Sequence, residues 1–328
     1  MTLRAALIPG LILLAGTIGT PADEAVRSEK LVRSQQGRTG YQRLAAEQVG
    51  ILPATEYRPP ANEPLRQTHL CGLATGDVDG DGLVDLYVCG MRSPNALFRN
   101  RGGWQFEDVT AVAGVGCPGW RLSGAVFADV DGDGDLDLVL TSVLDDRSFL
   151  FLNDGRGRFT ESRQIGWIGD PRGGNLAASL ADVDGDGDLD LYTTGSVKQM
   201  LKYELPQSET RRISNLGKAA IQAGRQPPEL FFRYWECLRD DFNPWGIAAA
   251  GVTDRLYLND GTGRFRPLTD ADRRFRDWRG QPIRAPRDPS HEAAFRDVDG
   301  DGDPDLYVTA DFDHPDHFWL NDGRGVFQ

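Results

Sequence analysis

Four nearly identical acidic stretches recur along this chain of 328 residues. They cover residues 77–85, 129–137, 182–190 and 297–305, and are named loops A, B, C and D. Each loop has Asp at positions 1, 3, 5 and 9 and Gly at positions 4 and 6. The glycines let the backbone curl tightly without a Cβ clash, and the odd side chains then converge and repel one another. The repeat therefore predicts a bound hard cation and an architecture built from copies of one unit.

The ligands offered by each loop are all oxygen atoms, which indicates calcium. The predicted sites, about four in number, use the side chains of positions 1, 3, 5 and 9 and the carbonyl of position 7. They comprise Asp77, Asp79, Asp81, Leu83 and Asp85; Asp129, Asp131, Asp133, Asp135 and Asp137; Asp182, Asp184, Asp186, Asp188 and Asp190; and Asp297, Asp299, Asp301, Asp303 and Asp305. An EF-hand would need Glu at position 12, where this chain has Val, Leu or Thr. The alternative is an Asp/Gly-rich turn without an ion.

A second motif follows each loop and completes the repeat. Leu-Phe-x-Asn or a close variant begins at residues 97, 150, 256 and 318, and in three copies Asp-Gly follows the Asn. Such turn residues between apolar runs predict a β-hairpin. Together with the strands that flank the acidic loop, each unit of roughly fifty residues has four short antiparallel strands. The sequence therefore predicts an all-β fold of propeller blades.

These motifs resemble the FG-GAP/VCBS repeat over about residues 41–328. The patterns are D-x-D-G-D-G-x-x-D-L, L-x-N-x-G-x-G-x-F and x-D-V-T-x-x-A-G-V, and they look most like the cartilage-acidic-protein-like (ASPIC/UnbV-associated) set. Integrin α-subunits share the calcium loop. The resemblance implies a secreted, calcium-bearing β-propeller, typically of about seven blades. The chain departs from that pattern, because only four loops are readable and no ASPIC/UnbV tail follows.

Two interpretations of blade number stay open. The chain is either a truncated piece of a larger propeller or a ring of four or five blades. In the second case residues 41–51, which resemble the run 106–115, would supply the closing strand.

The domain boundaries follow from composition. Residues 1–22 have a short apolar core and read as a signal peptide, so we expect a secreted, periplasmic or cell-surface protein. Residues 23–40 form a linker and 41–328 the propeller, with an insertion at about 195–253. The net charge of −13 comes mostly from the acidic loops. Neither a nucleic-acid partner nor a membrane span is expected.

The four cysteines are compatible with an oxidising compartment. Cys71 precedes loop A and Cys89 follows it, so a Cys71–Cys89 disulfide across the hairpin is predicted, with two buried thiols as the alternative. No pairing is assigned to Cys117 and Cys237.

A partner surface is expected on the face opposite the acidic loops, where the long links gather. Its candidate residues are Arg273, Arg274, Arg276, Trp278, Arg279, His314 and His317. Arginine binds carboxylate or sulfate groups in a bidentate manner, so the ligand could be an acidic glycan or a protein. The alternative is that these arginines pair with neighbouring Asp residues. In the insertion, helix-like stretches are expected at 214–223 and 228–241.

No catalytic motif is recognisable in the chain. The sequence therefore favours a calcium-stabilised interaction or adhesion module without enzymatic activity. The alternatives are a propeller-fold polysaccharide lyase or hydrolase and a scaffold domain of a longer adhesin.

Overall fold

Four antiparallel sheets, one from each sequence repeat, contain most of the strands in the described part of the chain. The computed structural model describes residues 44–51, 72–90, 93–120, 122–142, 147–162, 174–195, 207–232, 235–236, 248–249, 253–285, 290–310 and 314–328. The expected signal peptide and linker lie outside these residues, as do Cys71 and Cys237.

The first two sheets each have four strands in sequential order. Sheet A contains β1 (Leu73–Gly76), β2 (Asp85–Val88), β3 (Ala96–Asn100) and β4 (Phe106–Asp108). Sheet B contains β5 (Gly124–Ala128), β6 (Asp137–Thr141), β7 (Phe149–Asn153) and β8 (Phe159–Glu161). The acidic loop joins the first two strands and the Asn-containing turn joins the last two, which confirms the predicted order of strands and turns.

Sheet C is interrupted by the insertion, and sheet D is shorter. Sheet C contains β9 (Asn175–Ala181), β10 (Asp190–Gly195), β13 (Arg255–Asn259) and β14 (Phe265–Pro267), with β10 paired to β13 across the insertion. Sheet D contains β15 (Ser290–Arg296), β16 (Asp305–Ala310) and β17 (His317–Trp319). A single bridge between Asn321 and Phe327 stands where the fourth strand of the other sheets lies.

Short helical turns follow the outer strands. Helix α2 (Thr110–Ala113) follows β4, which ends at Asp108. Asp108 Oδ1 accepts hydrogen bonds from the backbone N–H and the hydroxyl of Thr110 and so ends the strand there. A 3-10 turn, Asp270–Asp272, follows β14 in the same way.

The described part of the insertion contains two helices and a pair of short strands. Helix α3 (Gln207–Gln222) begins well before the expected residue 214. Helix α4 (Glu229–Phe232) is a single turn, followed by the paired strands β11 (Trp235–Glu236) and β12 (Ala248–Ala249). The predicted helix over 228–241 is therefore confirmed at Glu229–Phe232 and wrong at Trp235–Glu236, and residues 237–241 lie outside the described part of the chain. The Phe231 ring packs directly on Gly217 of α3, where no side chain larger than hydrogen fits.

Alternation along the strands gives every inner sheet two apolar faces. In β6, Leu138 and Leu140 pack into the core shared with sheet A, whereas Val139 packs into the core shared with sheet C. A third core lies between sheets C and D and includes Tyr192 and Leu306. Each sheet thus packs on the next through apolar residues contributed by both.

The first strands of the four sheets lie in a row. β1 lies beside β5, β5 beside β9, and β9 beside β15. Within the described residues these strands do not form a closed ring. The architecture is therefore a series of four stacked antiparallel sheets whose first strands line one edge.

Residues 44–51 pack on sheet A. The connector that follows sheet A packs on sheet B in the same way. Helix α1 (Ala46–Val49) ends in Gly50 at φ 79°, and α2 ends in Gly114 at φ 79°. Gly50 touches the backbone of Phe106 and Gly114 that of Phe159, the first residues of β4 and β8. This equivalence supports the likeness between residues 41–51 and 106–115, although residues 41–43 lie outside the described part.

Candidate metal centres

The position-9 carboxylate is the buried anchor of every acidic loop. Its Oδ2 accepts the position-2 N–H: Val78 to Asp85 at 3.1 Å, Val130 to Asp137 at 3.0 Å, Val183 to Asp190 at 3.1 Å and Val298 to Asp305 at 2.9 Å. Its Oδ1 accepts the N–H of the turn asparagine, which ends β3, β7 or β13 or lies just after β17, at 2.7–2.9 Å. All four carboxylates are essentially inaccessible to solvent. These bonds tie the acidic loop to the neighbouring hairpin turn.

Positions 1 and 5 shape the loop from inside. The position-1 carboxylate accepts backbone N–H bonds from positions 4 to 6, as in Asp129 with Gly132 at 2.8 Å and Gly134 at 3.0 Å. The position-5 carboxylate accepts the position-7 N–H, as in Asp133 with Asp135 at 3.0 Å. Both glycines have positive φ, a conformation that favours residues without Cβ. The sequence therefore encodes a preformed, inward-turned loop.

Three of the predicted side-chain ligands converge in each loop. One carboxylate oxygen from each of positions 1, 3 and 9 lies within 4.8 Å of the others. The four sets are Asp77, Asp79 and Asp85; Asp129, Asp131 and Asp137; Asp182, Asp184 and Asp190; and Asp297, Asp299 and Asp305. The position-5 carboxylates are not part of these groups and are oriented by their bonds to position 7.

Buried position-3 oxygens fit a cation. Oδ1 of Asp79, Asp131 and Asp184 is buried and accepts no hydrogen bond from the described residues. A buried acceptor without a donor costs about 1–3 kcal/mol, which a bound cation would offset. Three converging carboxylates and such an oxygen match the hard, oxygen-only ligand set that Ca²⁺ prefers.

The pKa values of the buried carboxyls in the loops also favour a bound cation. Burial raises the pKa of the Asp137 carboxyl from its ordinary value of 3.8 to about 6, and burial raises the pKa of Asp190 to about 7. Two backbone N–H bonds oppose each shift, while the neighbouring carboxylates add to it. Burial likewise raises the pKa of Asp131 and Asp184. The shifts show that charge on these carboxylates is costly until a cation or proton compensates it.

Loop A has an arginine just before its turn asparagine, where the other repeats have leucine. The Arg99 guanidinium contacts the Asp79 carboxylate through Nε and lies 3.1 Å from Asp81 through an NH₂ group. The backbone N–H of Leu83 and then Arg99 lower the pKa of Asp81. The equivalent residues in the other repeats are Leu152, Leu258 and Leu320. This difference was readable in the Leu-x-x-Asn motif but was not recognised from the sequence.

The turn asparagines also link neighbouring sheets, a role that sequence reasoning missed. Asn153 Nδ2 donates to the Val78 carbonyl of loop A at 2.8 Å, and Asn259 Nδ2 donates to the Val130 carbonyl of loop B at 2.8 Å. Asn321 Nδ2 repeats the bond to the Val183 carbonyl of loop C at 2.9 Å. We call these bonds the asparagine staples. Because each asparagine N–H also binds Asp of its own loop, every staple joins two acidic loops.

The Asn-Asp-Gly turns and the acidic loops lie on one face, as predicted. Gly155 in the turn of sheet B packs on the Asp135 carboxylate of its own loop, and Gly157 packs on Val78 and Asp79 of the preceding loop. Gly261 and Gly263 of sheet C, and Gly323 and Gly325 of sheet D, repeat both contacts. Each turn is therefore wedged between two acidic loops.

The predicted partner residues separate into two groups. Arg276, Trp278 and His317 line one open cleft of about 880 Å³ on sheet D, together with Arg284 and Phe318. Arg273 and Arg274 lie around a separate small pocket of about 20 Å³ beside Asp270. The cleft also reaches Asp299 of loop D, so it extends to the face that carries the acidic loops.

Several of the arginines of this region are engaged by neighbours. Arg266 pairs with Asp272 at 3.3 Å, Arg284 lies 3.7 Å from Asp270, and Arg274 donates to the Arg324 carbonyl. Arg279 instead stacks over Trp278, whose side chain is 79% exposed. The His317 ring stacks on Trp319 with 4.8 Å between centroids. The predicted pairing with Asp thus accounts for part of the cluster, and the Trp278–Arg279 corner faces solvent.

The cysteine predictions stay partly open. Cys89 is buried and its N–H donates to the Gly72 carbonyl at 2.8 Å, so Cys89 stands opposite the residue after Cys71. Cys71 lies outside the described residues, and the Cys71–Cys89 disulfide stays a prediction. Burial raises the pKa of the Cys117 thiol to about 12, so this thiol is inert at neutral pH.

Comparison with known proteins identifies the repeat. The FG-GAP-like repeat model matches residues 77–140 and 129–193, which contain loops A, B and C. Cartilage acidic protein 1 of Homo sapiens is 35% identical over 68 residues, 21% of this chain and 10% of that protein. The Mus musculus protein is 34% identical over the same length. The match thus spans about a tenth of these curated relatives.

Two solved structures share a weaker similarity. One is an Agrocybe aegerita lectin described by its specific recognition of non-reducing terminal N-acetylglucosamine, with a TM-score of 0.41 and 19% identity over 79% of this chain and 50% of that chain. The other is the V. cholerae biofilm matrix protein Bap1, with a TM-score of 0.30 and 14% identity over 73% of this chain and 34% of that chain. None of the described helices has the length and apolar character needed to cross a bilayer. The stretch of the chain that carries loops A, B and C is therefore similar to FG-GAP-like repeats, and the chain has partial similarity to cartilage acidic protein 1.

Proposed function

We propose that this chain is a secreted, calcium-binding interaction module that holds its repeats in a β-propeller. The observation that carries the proposal is the fourfold convergence of three carboxylates around one point. The undonated position-3 oxygens and the raised pKa of Asp137 and Asp190 support it. Extracellular calcium, near millimolar, would occupy loops of modest affinity.

The propeller arrangement is supported by how successive sheets meet. Each pair of neighbouring sheets shares an apolar core, and the four first strands lie in a row. Four-stranded antiparallel sheets packed face to face around their first strands are the blades of a propeller. Calcium in the loops would then stiffen the blade edges and the asparagine staples between blades.

The calcium proposal is tested by thermal unfolding with and without calcium. A ligand present at one hundred times its dissociation constant stabilises the fold by about 2.7 kcal/mol per site. We expect chelation to lower the Tm by several degrees, calcium to restore it, and magnesium to restore much less of it. Identical melting curves with chelator and with calcium would contradict the proposal.

Partner binding is proposed for the arginine-rich connector between sheets C and D. Arg273, Arg276 and the exposed Trp278–Arg279 corner offer positive charge and an aromatic face on a chain of net charge −13. Such a surface suits a carboxylated or sulfated glycan or an acidic protein segment. The acidic loops, occupied by calcium, would serve stability rather than recognition.

A glycan array tests whether this surface, rather than another part of the molecule, binds acidic glycans. The double variant Arg273→Ala and Arg276→Ala should lose binding to acidic glycans while keeping its calcium-dependent Tm. The matched control, Arg156→Ala with Arg158→Ala in the turn of sheet B, removes the same charge elsewhere and should bind normally. Equal profiles for the two double variants would reject the surface.

The module is proposed to act without catalysis. Incubation with acidic polysaccharides should give no unsaturated products, which a lyase would release. Appearance of such products, and their loss in the Arg273/Arg276 variant, would favour the enzymatic alternative.

A further inference from the structure

Neighbouring acidic loops are joined by a recurring series of hydrogen bonds. Between loops A and B the series begins at Asp85, whose Oδ2 accepts the N–H of Val78 at 3.1 Å. The Val78 carbonyl accepts a hydrogen bond from Asn153 Nδ2 at 2.8 Å, and the Asn153 N–H donates to Asp137 Oδ1 at 2.8 Å. One valine and one asparagine therefore connect the position-9 carboxylates of two neighbouring loops.

The same series links the other neighbouring loops. From loop B to loop C it passes through Val130 and Asn259, with bonds of 3.0, 2.8 and 2.9 Å. From loop C to loop D it passes through Val183 and Asn321, with bonds of 3.1, 2.9 and 2.9 Å. The valines and asparagines of all three links are buried. Water therefore competes little for these bonds.

A second contact between neighbouring loops reaches a predicted metal ligand directly. Gly157, in the turn that begins at Asn153, packs on Val78 and on Asp79 of loop A. The Asp79 side chain is only 6% exposed, and its Oδ1 accepts no hydrogen bond from the described residues. Gly263 and Gly325 make the equivalent contacts with loops B and C. Each turn therefore holds the position-9 ligand of its own loop and supports the position-3 ligand of the preceding loop.

These contacts let two loops share the cost of becoming ordered. A loop that binds a cation must fix its backbone and its coordinating side chains, which costs conformational entropy. When Asp137 is fixed on a cation in loop B, it holds the Asn153 N–H, and the asparagine amide then holds the Val78 carbonyl in loop A. The next cation meets a loop whose second and third residues are already in place, so its binding is more favourable.

Repulsion between two bound cations acts in the opposite direction. Ordering raises the affinity of the neighbouring loop, whereas repulsion lowers it. Repulsion between exposed charges is screened by salt, but buried hydrogen bonds and packing contacts are not weakened in that way. The sign of the coupling at physiological ionic strength therefore separates the two effects.

We propose that the turn asparagines are positioning residues that make neighbouring loops bind calcium cooperatively. Asn153 couples loops A and B, Asn259 couples loops B and C, and Asn321 couples loops C and D. The inference rests on the proposed calcium function and adds that a cation in one loop raises the affinity of its neighbour, and the reverse by the same factor. Loops A and C share no such link among the described residues, so they should bind independently.

Full-length variants that keep only two loops intact test the coupling. A loop is disabled, with the shape of the side chain kept, by one substitution at position 3: Asp79→Asn, Asp131→Asn, Asp184→Asn or Asp299→Asn. Titration calorimetry at physiological ionic strength compares calcium binding by each pair of loops with binding by each loop alone. With loops A and B intact, occupation of one should raise the affinity of the other at least about fivefold. With loops A and C intact, both affinities should match those of the single loops.

Removing one asparagine at a time separates coupling from stability. Asn153→Ala should abolish the coupling of loops A and B and leave that of loops B and C unchanged, whereas Asn259→Ala should do the reverse. A purely structural role would lower the stability or the affinities without changing the ratio between paired and single loops. Coupling of loops A and B that survives Asn153→Ala, or that Asn259→Ala removes equally, would overturn the assignment.

The comparison of loop pairs decides the question even where an alanine variant does not fold. Loops A and B that bind calcium independently, or as strongly coupled as loops A and C, would overturn this inference and leave the proposed calcium function intact. A wild type that binds no calcium would overturn both.

Discussion

Loops A and B have the same four aspartates, yet their surroundings differ. Above loop A, the Arg99 guanidinium contacts Asp79 and Asp81. Above loop B the same position is Leu152, which packs into the core between sheets B and C. Burial raises the pKa of the position-9 carboxyl in both loops, for Asp137 of loop B to about 6 and for Asp85 of loop A in the same direction. In loop A, Arg99 adds to the effects that lower the pKa of Asp81.

Loops that share a ligand motif therefore need not bind calcium with equal affinity. A guanidinium beside two carboxylates already compensates part of their charge, so loop A gains less from a cation than loop B. A leucine compensates nothing and adds desolvation, so loop B gains more. We therefore expect calcium affinity and the response to pH to be unequal along the chain, with loop B a stronger site than loop A.

The largest expected effect is a stabilisation of the calcium-free protein by acid. The pKa of Asp137 and Asp190 is raised in the folded state above the unfolded value of 3.8, to about 6 and about 7. The folded state therefore binds protons more tightly than the unfolded chain. Its stability is full below about pH 4 and is lost as pH rises through 6 to 7, on the order of 3 kcal/mol per carboxyl. Urea unfolding of calcium-stripped protein at pH 4 and pH 8 measures this loss.

Paired variants attribute the pH effect to loop B rather than loop A. Asp137→Asn removes a titrating carboxyl and should flatten the pH dependence, whereas Asp85→Asn should leave most of it in place. Calcium should reverse the trend for the wild type, since protons compete with the metal at low pH. If the two variants flatten the curve equally, loops A and B do not differ in the way proposed.

An intermediate effect is expected from the asparagine staples. Asn153→Ala removes buried bonds to the Val78 and Leu136 carbonyls, leaving the Val78 carbonyl unpaired between sheets A and B. Asn100→Ala removes an exposed bond to Val84 and a turn bond from the Gly102 N–H. We expect about 2–3 kcal/mol of lost stability for the first and less than about 1 kcal/mol for the second, measured on monomeric protein in saturating calcium. Equal losses would show that the bond between sheets contributes nothing beyond the turn.

The features that recur in every repeat could be predicted from the sequence, because the same residues appear at the same spacing four times. Loop positions, strand order and the shared face of loops and turns all follow from residues within about fifty positions of one another. The staple of Asn153 to Val78 joins different repeats, and nothing in a single motif distinguishes a turn asparagine from a linking one.

The smallest expected effect, and the most direct test of the comparison, is a change in calcium affinity when Arg99 above loop A and Leu152 above loop B are exchanged. Arg99→Leu should raise the calcium affinity of loop A about fivefold, since it removes a competing cation worth roughly 1 kcal/mol at a partly exposed site. Leu152→Arg should weaken loop B by a similar factor, and Leu152→Gln controls for lost packing without added charge. Titration calorimetry at low salt measures each site, and screening at high salt should shrink both shifts. Unchanged affinity in Arg99→Leu would mean that Arg99 swings away when calcium binds, and the two loops would then be equal sites with different resting partners.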